Sequence, residues 1–374
     1  MQIQTHQFAH GLWTPALLEA TSPPQWVLAF GAREVLAQNM ASIRAAYPLA
    51  IISACSTSGE ISGDEVSDDS ITLTAIRFAT TQIRQASARC ASAQDSAASG
   101  EALAAQLVGE GLRHVFVLST GLNMNGTALT HAIQSKLGMG VSVSGGLAGD
   151  GANFQTTMVY AQDQEGDDLV IAMGFYGNAI QVSSGSYGGW QTFGPERVVT
   201  AAEGSTLIQL DGKSALNKYK EYLGEYTGTL PSNALLFPIQ ITPKGSDRGV
   251  VRTVLAIDEI AETMTFAGDV PLGATVQLMR SNIDSLVDGA RTAAAQTIEG
   301  MASAELAILV SCVGRKLVLK QRVEEEVEAV LDVVGNKTVV TGFYSYGELA
   351  PAANGQPCDL HNQTMTVTLF SEMV

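Results

Sequence analysis

Charged residues are scarce in this sequence, and basic ones are scarcer still. Charged residues make up 16% of the 374 residues, against roughly 25% in an average soluble chain, while hydrophobic residues make up 46%. This composition excludes intrinsic disorder and indicates that much of the chain is buried in packed cores. The 21 Lys and Arg are outnumbered by 37 Asp and Glu, which gives a net charge of −16. So acidic a chain repels phosphate backbones and anionic membrane surfaces, and we expect neither nucleic acid nor a membrane as a partner.

Long hydrophobic runs, a signal peptide and paired cysteines are absent as well. The most continuous apolar stretches, Leu169 to Tyr176 and Leu306 to Val313, are far shorter than the roughly 18 residues that cross a bilayer. The first twenty residues contain no Lys or Arg and no apolar stretch typical of a secretory signal. The four cysteines are far apart without CxxC spacing, which is typical of free thiols in a reducing compartment. We therefore expect a cytoplasmic protein without a transmembrane segment.

The length predicts two domains, or one large domain with an internal duplication, because a domain typically has about 150 residues. A strand, turn and helix unit is predicted over 206–224, and the composition turns to Gly, Thr, Pro and Ser over 222–235, as in a linker. We therefore place a lead segment at 1–24, an N-terminal domain at 25–224 and a C-terminal domain at 225–374.

Short strands rich in β-branched residues are mixed with a few amphipathic helices. Several strand candidates, such as 169–176 and 179–183, follow one another with only turn residues between them. This is typical of mixed or antiparallel sheets rather than of a purely parallel βαβ fold. The prediction is an α/β chain of the α+β type, in which two related domains have mixed or largely antiparallel sheets flanked by helices. The acidic run Glu324 to Glu326 is expected on the solvated face of a helix.

Three segments rich in Gly and Ser follow apolar strands, and they are the most informative part of the sequence. They span 55–63, 142–151 and 342–351. Small residues allow backbone amides to approach a ligand closely, and hydroxyl and carboxyl groups add directional contacts. A plain turn is the alternative for each segment. In the third, Ser345-Tyr346-Gly347-Glu348-Leu349 echoes Thr57-Ser58-Gly59-Glu60-Ile61, which predicts two related loops that contribute to one site.

Two nucleotide-binding motifs do not fit the second segment. Its glycines are misspaced for a dinucleotide-binding GxGxxG loop, and no clear helix of apolar period follows it. It also lacks the Lys of a P-loop. The sequence therefore does not favour a Rossmann domain or a nucleoside triphosphatase.

Five motifs together resemble the FIST proteins. They are Cys55 to Gly63, Ser-Gly-Gly-x-Ala-Gly-Asp at Ser144 to Asp150, Cys312-Val313-Gly314-Arg315, Phe343 to Pro351, and Leu360 to Thr366. The resemblance covers nearly the whole chain, from Gln25 to Ser371. The resemblance implies that the chain is a bacterial signal-transduction protein with an N-terminal and a C-terminal FIST domain. Such proteins are expected to bind a small ligand and to act with a histidine kinase or a cyclic-di-GMP signalling protein. The resemblance also implies that haem, with nitric oxide as the sensed gas, is a possible cofactor, because some relatives are haem-binding nitric oxide sensors.

The main functional hypothesis is a two-domain sensor that is not an enzyme and binds its ligand between or within its domains. Arg315 is expected to pair with a ligand carboxylate, with a structural salt bridge or a solvated side chain as the alternative. The tyrosines are expected to close an apolar side of the site. The candidate ligand-binding residues are Ser56, Thr57, Ser58, Glu60, Gly145, Gly146 and Asp150 on one wall, and Arg315, Tyr344, Tyr346, Glu348 and Asn362 on the other.

Two alternatives stay open. For a haem-based nitric oxide sensor, His361 is the preferred iron ligand among five histidines, with an ordinary hydrogen-bonded histidine as the other interpretation. For a Cys-dependent hydrolase, Cys55 or Cys312 is the candidate nucleophile, and either thiol needs a base or a positive environment to ionise.

Overall fold

The structure is a computed structural model, and it describes residues 1–17, 23–230, 232–246, 249–299, 301, 303–351 and 355–373. Asn side chains begin two of the main helices, because Asn125 and Asn282 each accept a hydrogen bond from a backbone N–H three residues on. The helices in the described part are α1 Arg33–Ala46, α2 Ser96–Leu107, α3 Gly126–Leu137, α4 Ala215–Leu223, α5 Ile283–Ile298, α6 Val313–Leu319 and α7 Glu324–Val334.

Strands dominate the chain from end to end. The first ten are β1 Gln2–Ala9, β2 Leu12–Thr14, β3 Trp26–Gly31, β4 Ile51–Ser56, β5 Glu60–Ser62, β6 Glu65–Ser67, β7 Ile71–Arg77, β8 Gln82–Arg89, β9 Leu112–Ser119 and β10 Ser142–Leu147. The next nine are β11 Val159–Ala161, β12 Glu165–Gly166, β13 Leu169–Tyr176, β14 Ile180–Tyr187, β15 Gln191–Glu203, β16 Thr206–Leu210, β17 Lys213–Ser214, β18 Ile239–Thr242 and β19 Val250–Arg252. The last eight are β20 Val254–Asp258, β21 Thr263–Phe266, β22 Thr275–Arg280, β23 Leu306–Cys312, β24 Val339–Ser345, β25 Gly347–Pro351, β26 Cys358–His361 and β27 Met365–Glu372.

Three of the sheets are built on the same plan. In each, two parallel strands are joined through a helical connection, and an antiparallel strand lies beside the first of them. The first sheet has the order β12-β11-β4-β3-β7-β1-β2, the second β26-β25-β10-β9-β13-β8, and the third β14-β27-β23-β24-β5-β6. The parallel pairs are β3 and β4, β9 and β10, and β23 and β24. The fold thus repeats one unit three times.

The three units are interlocked by exchanged strands. After β4 the chain enters β5, which pairs with β24 of the third sheet. After β10 it reaches β11, which pairs with β4 of the first sheet, and after β24 it enters β25, which pairs with β10 of the second. Each sheet is therefore completed by a strand from another unit, and the three units form one structural body, which we call the core body.

One hydrophobic core lies between the three sheets. Trp26 and Phe30 of the first sheet, Phe175 of the second, and Phe343 and Phe370 of the third all belong to it. The Phe30 and Phe343 rings stack with centroids 4.6 Å apart. The outer faces of the sheets are covered by α1, by α2 and α3, and by α5 and α7 respectively. The central strands β3, β13 and β23 are continuous apolar runs because both of their faces are buried.

The fourth sheet belongs to a second structural body, residues 191–280, which we call the module. It has the order β19-β18-β22-β15-β16-β21-β20, with β17 paired to β16, and it carries α4 on its own apolar core. The module is inserted into the third unit, between β14 and α5. It therefore joins the core body by two chain crossings.

The predicted fold class is confirmed, because the sheets are mixed or antiparallel and are flanked by helices. The lead segment 1–24 is not separate: β1 pairs with β7 along its whole length, while residues 18–22 lie outside the described part. The boundary predicted after residue 224 falls inside the module. Among the described residues, no helix is both long and apolar enough to cross a membrane.

Candidate functional site

The second parallel strand of each unit runs into a turn that carries one buried carboxyl group. These carboxylate turns are 57–60, 148–151 and 345–348, and their acids are Glu60, Asp150 and Glu348. Because the three units interlock, the turns contact one another: Ser58 N donates to the Tyr344 carbonyl oxygen, and Gly149 N donates to the Ser56 carbonyl oxygen.

Glu60 and Glu348 have equivalent surroundings. Glu60 accepts hydrogen bonds from Thr57 Oγ1 at 2.5 Å and from Ser70 N and Oγ at 3.2 and 2.6 Å. Glu348 accepts from Ser345 Oγ at 2.8 Å and from Thr364 N and Oγ1 at 3.2 and 2.9 Å. The sequence echo thus does mark two related turns, although Glu348 is not among the described residues that line the four cavities considered below.

Burial sets the ionisation of both carboxyl groups. Loss of solvation raises the pKa of Glu60 from 4.5 to about 7 and the pKa of Glu348 from 4.5 to about 8, against the opposing effect of their hydrogen bonds. At neutral pH, Glu348 is mostly the neutral acid.

Asp150 organises the loop that follows the second carboxylate turn. Its carboxylate accepts hydrogen bonds from the backbone N–H groups of Phe154, Gln155 and Thr156 at 2.9 Å and from the hydroxyl of Tyr346. The bonds hold Phe154 at a φ of 53°, a left-handed conformation that is rare for a bulky residue. The Phe154 ring stacks on Tyr346 with centroids 4.4 Å apart and planes 12° apart, and it is 40% exposed.

This aromatic pair lies at the bottom of a cleft between the core body and the module. The cleft has two lobes, of about 660 and about 580 Å³, in the size range of small-molecule sites. The module contributes the β15–β16 turn, the β19–β20 connection and the segment after β21. Both lobes are lined by Leu122, Phe154, Leu255, Ala267, Tyr346 and Asn362.

Two buried polar atoms at the cleft have no partner. Asn362 is 1% exposed and lines both lobes, and its Oδ1 has no hydrogen-bond partner in the described structure. Thr253, from the module, is 5% exposed and lines the second lobe, and its Oγ1 has none either. A buried polar atom without a partner costs about 1–3 kcal/mol, and nearly all such atoms in native proteins are paired. Two residues in the wall of the cleft therefore each contain a buried polar atom that has no partner in the described structure.

The residues predicted for one wall divide into two groups. Thr57, Ser58, Glu60 and Asp150 line a smaller cavity of about 260 Å³ beside α1, while the buried hydroxyl of Ser56 accepts a hydrogen bond from Met158 N at 2.9 Å.

Gly145 and Gly146 are not ligand-lining residues. They lie inside β10, where a Cβ on Gly145 would meet the Val117 carbonyl oxygen at 1.9 Å and one on Gly146 would meet the Val310 side chain at 2.6 Å. These glycines allow close packing of the strands, which corrects the predicted binding role.

On the other wall, Tyr346 and Asn362 reach the cleft, but Arg315 and Tyr344 do not. Arg315 is fully buried, and all five of its N–H groups are used: they donate to Glu326 and to the carbonyl oxygens of Gly188, Leu286 and Gln363. Tyr344 is also fully buried and donates to Glu326 at 2.7 Å. The expected pairing of Arg315 with a ligand carboxylate is thus corrected to a buried salt bridge. Glu326 is buried as well, so the expectation of a solvated acidic run is wrong at this residue.

The histidines do not fit a haem site. Four have partners of their own: His6 with the Pro15 carbonyl and Tyr47, His114 with Ser142 and Ser144, His131 near Asp359, and His361 with the Ala350 carbonyl at 3.0 Å. His10 is exposed. Among the described lining residues of the four cavities there is no histidine, so none of these cavities offers His361 as a ligand to haem iron.

The cysteines do not form an activated nucleophile. All four are free and buried, and burial raises the pKa of both Cys55 and Cys312. The nearby carboxyl groups, Glu60 and Glu348 respectively, raise these pKa values further. Cys312 lines the second lobe of the cleft, but a thiol with a raised pKa is mostly protonated and a poor nucleophile.

The sequence analysis missed Phe154, Thr253 and the module's side of the cleft. Phe154 directly follows the second Gly-rich segment, but its left-handed backbone depends on bonds to Asp150 that only the fold supplies. Nothing in the sequence around Thr253 distinguishes it from other strand threonines.

Comparison with known proteins was made for the whole chain. A search of the curated proteins found no match. A family model described as the FIST N domain matches residues 25–213, and one described as the FIST C domain matches residues 215–351. FIST domains are associated with the sensing of small ligands in signal transduction. Since the FIST N match alone covers half of the sequence and the FIST C match extends it to most of the rest, this chain belongs to the FIST family.

Proposed function

We propose that this protein is a cytoplasmic sensor that binds a small ligand in the cleft between the core body and the module and passes the signal to a protein partner. The observation that carries the proposal is the buried, unpartnered Oδ1 of Asn362 at the bottom of a cleft of small-molecule size. A ligand donor would satisfy this atom, and the stacked pair of Phe154 and Tyr346 would contact the ligand's apolar surface.

The way in which the module is attached supports a closing motion. The two chain segments that connect it to the core body lie side by side. Ser281 Oγ, just after the module, donates a hydrogen bond of 3.0 Å to the carbonyl oxygen of Gly189, just before the module. Trp190, Met279 and Leu286 form a small apolar cluster around both connections. Two adjacent crossings define a hinge, and hinge closure around a ligand is a common sensing motion.

The ligand-facing residue is coupled to this hinge by direct bonds. Gln363, the residue after Asn362, presents its carbonyl oxygen to Trp190 Nε1 at 2.8 Å and to Arg315. Arg315 also binds the carbonyl oxygens of Gly188 and Leu286 on the two sides of the hinge. A ligand that repositions Asn362 therefore acts on hydrogen bonds at the hinge. Ligand binding would then shift the population towards a closed arrangement, which a partner could distinguish.

The partner and the compartment are part of the proposal. A histidine kinase or a cyclic-di-GMP signalling protein is the class of partner that membership of this family suggests. Four free, buried cysteines agree with a reducing compartment such as the cytoplasm.

A thermal-shift screen against a library of metabolites tests the proposal. A ligand at one hundred times its dissociation constant stabilises the folded chain by about 2.7 kcal/mol, which gives a readily measured shift in the melting temperature. Phe154→Ala removes the aromatic bottom of the cleft. Tyr187→Ala is the matched control, because Tyr187 is a similarly exposed aromatic residue, at 46%, and lines neither lobe.

We expect at least one compound to stabilise the native sequence and the Tyr187 variant but not the Phe154 variant. If compounds stabilise all three equally, they bind elsewhere and the cleft is not the site. If no compound in a broad library stabilises the native chain, the sensor proposal is refuted.

A further inference from the structure

The lining of the cleft restricts the chemistry of what can bind there. Asn362 Oδ1 is an acceptor only, so the group that satisfies it is a hydrogen-bond donor. The Thr253 hydroxyl, also buried without a partner, can accept a second N–H or O–H from the same molecule. Because Asn362 Oδ1 can only accept, a ligand that pairs with it in the second lobe carries at least one hydrogen-bond donor.

The apolar part of the lining favours a flat, aromatic body. The second lobe is bounded mainly by Leu, Val, Ala and aromatic side chains, with Phe154 and Tyr346 at its base. Since Phe154 is held in a left-handed backbone conformation and remains 40% exposed, its free face is presented to the cleft. Aromatic rings stack on such a face in an offset arrangement.

The charges at the cleft disfavour an anion. Among the described residues that line the two lobes there is no Lys, Arg or His, while Glu203 and Asp269 of the module line the first lobe. The buried Arg252 lies behind this wall, and it donates to the Leu360 carbonyl oxygen rather than lining either lobe. A carboxylate or phosphate would lose its hydration here without gaining a positive partner.

We propose that the cleft binds an aromatic molecule that carries an N–H donor, as an amine or amide, and that has no carboxylate or phosphate group. The N–H group donates to Asn362 Oδ1, the ring stacks on Phe154, and a protonated amine is further favoured by Glu203 and Asp269. The inference rests on the proposed function of the cleft, and it reverses the expectation of an acidic ligand that Arg315 suggested in the sequence.

Three probes that share a phenyl group on a short alkyl chain and differ in their polar group test this inference. They are 2-phenylethylamine, 3-phenylpropanamide and 3-phenylpropanoate, and their dissociation constants are measured by saturation-transfer NMR titration with the full chain. The variants are Asn362→Ala and Thr253→Val, with Asn217→Ala as the control, since Asn217 is exposed on α4 far from the lining. In the described structure neither Asn362 Oδ1 nor Thr253 Oγ1 has a hydrogen-bond partner, so neither substitution removes a protein hydrogen bond of that oxygen, and we expect both variants to keep a melting temperature close to the native one.

We expect the amine and the amide to bind at least tenfold more tightly than the carboxylate. Asn362→Ala is expected to weaken both about tenfold, the equivalent of one lost hydrogen bond of about 1.4 kcal/mol, and the control to change neither. If the carboxylate binds as tightly as the amine, or if Asn362→Ala leaves the amine's affinity unchanged, the inference is refuted while the cleft stays a candidate site for compounds found in the thermal-shift screen. If the thermal-shift screen also finds no compound whose binding depends on Phe154, the proposed function is refuted as well.

Discussion

Replacing Glu348 by Gln changes how the stability of the protein depends on pH. Glu348 is fully buried, and burial raises its pKa from 4.5 to about 8. Because the folded pKa lies above the unfolded one, the folded state holds this proton more tightly than the unfolded chain does. The stabilisation from the neutral acid is thus fully present below about pH 4.5 and is lost as the pH rises through about 8.

The size of the effect follows from the same pKa. Each tenfold change in proton affinity corresponds to about 1.4 kcal/mol, so a rise from 4.5 to about 8 makes ionisation in the folded state cost roughly 5 kcal/mol. Gln mimics the neutral acid: its oxygen can accept from Thr364 N and Oγ1, and its amide can donate to Ser345 Oγ. The variant therefore avoids this cost at alkaline pH.

Urea unfolding, followed by the fluorescence of the tryptophans, which include the buried Trp26, gives the difference in unfolding free energy between Glu348→Gln and the native sequence. We expect a difference near zero at pH 4 and a gain of several kcal/mol for the variant at pH 9. Glu328→Gln, an exposed position on α7, is the control and should show no such trend. A difference that stays flat from pH 4 to pH 9, or a variant that is less stable at pH 9, would refute the role assigned to burial.

Three further substitutions test the packing and the buried ion pair. Arg315→Met leaves Glu326 buried without its cation and should lower the unfolding free energy by about 3–5 kcal/mol, whereas a loss below about 1 kcal/mol in urea unfolding would contradict the buried salt bridge. Gly146→Ala brings a Cβ to 2.6 Å from the Val310 side chain and should lower the unfolding free energy by about 1–3 kcal/mol. Gly140→Ala is the control, because a Cβ at Gly140 has no atom within 4 Å. Equal unfolding curves for the two variants would count against the assigned role of Gly146. Asp150→Asn weakens the bonds that hold Phe154 and should lower the affinity of a cleft ligand several-fold in the same NMR titration, and an unchanged affinity would show that the loop does not need that carboxylate.

Local patterns predicted the parts of the fold that depend on neighbouring residues. The apolar runs at 169–176 and 306–312 are strands buried on both faces, and the echo of Thr57–Ile61 in Ser345–Leu349 marks two equivalent turns. The third equivalent turn, at Asp150, was not recognisable as a repeat because its sequence differs: its acid is an Asp, and no Ser or Thr stands three residues before it as Thr57 and Ser345 do before Glu60 and Glu348.

The site depended on long-range packing, and there the predictions were less complete. A glycine pair in β10 has the composition of a ligand loop, and only the approach of Val117 and Val310 shows that its role is close packing. Arg315 and Glu326 are eleven residues apart, on α6 and α7, so their pairing could not be inferred without knowing how the chain turns between these two helices. Tyr346 and Asn362 were predicted because they belong to recognisable motifs, whereas the module's contribution to the cleft carried no local signal.

The most direct test of the central claim is the distance between the core body and the module with and without a ligand. Spin labels at Ser135→Cys on α3 and Lys213→Cys in the module occupy exposed positions, and the four native cysteines are buried. Double electron–electron resonance then gives the distance distribution for the free protein and for the protein with the compound that produces the largest thermal shift. The account predicts that the ligand narrows and shifts this distribution. An unchanged distribution under conditions where the ligand is shown to be bound would contradict a sensor that works by closure of the module on the core body.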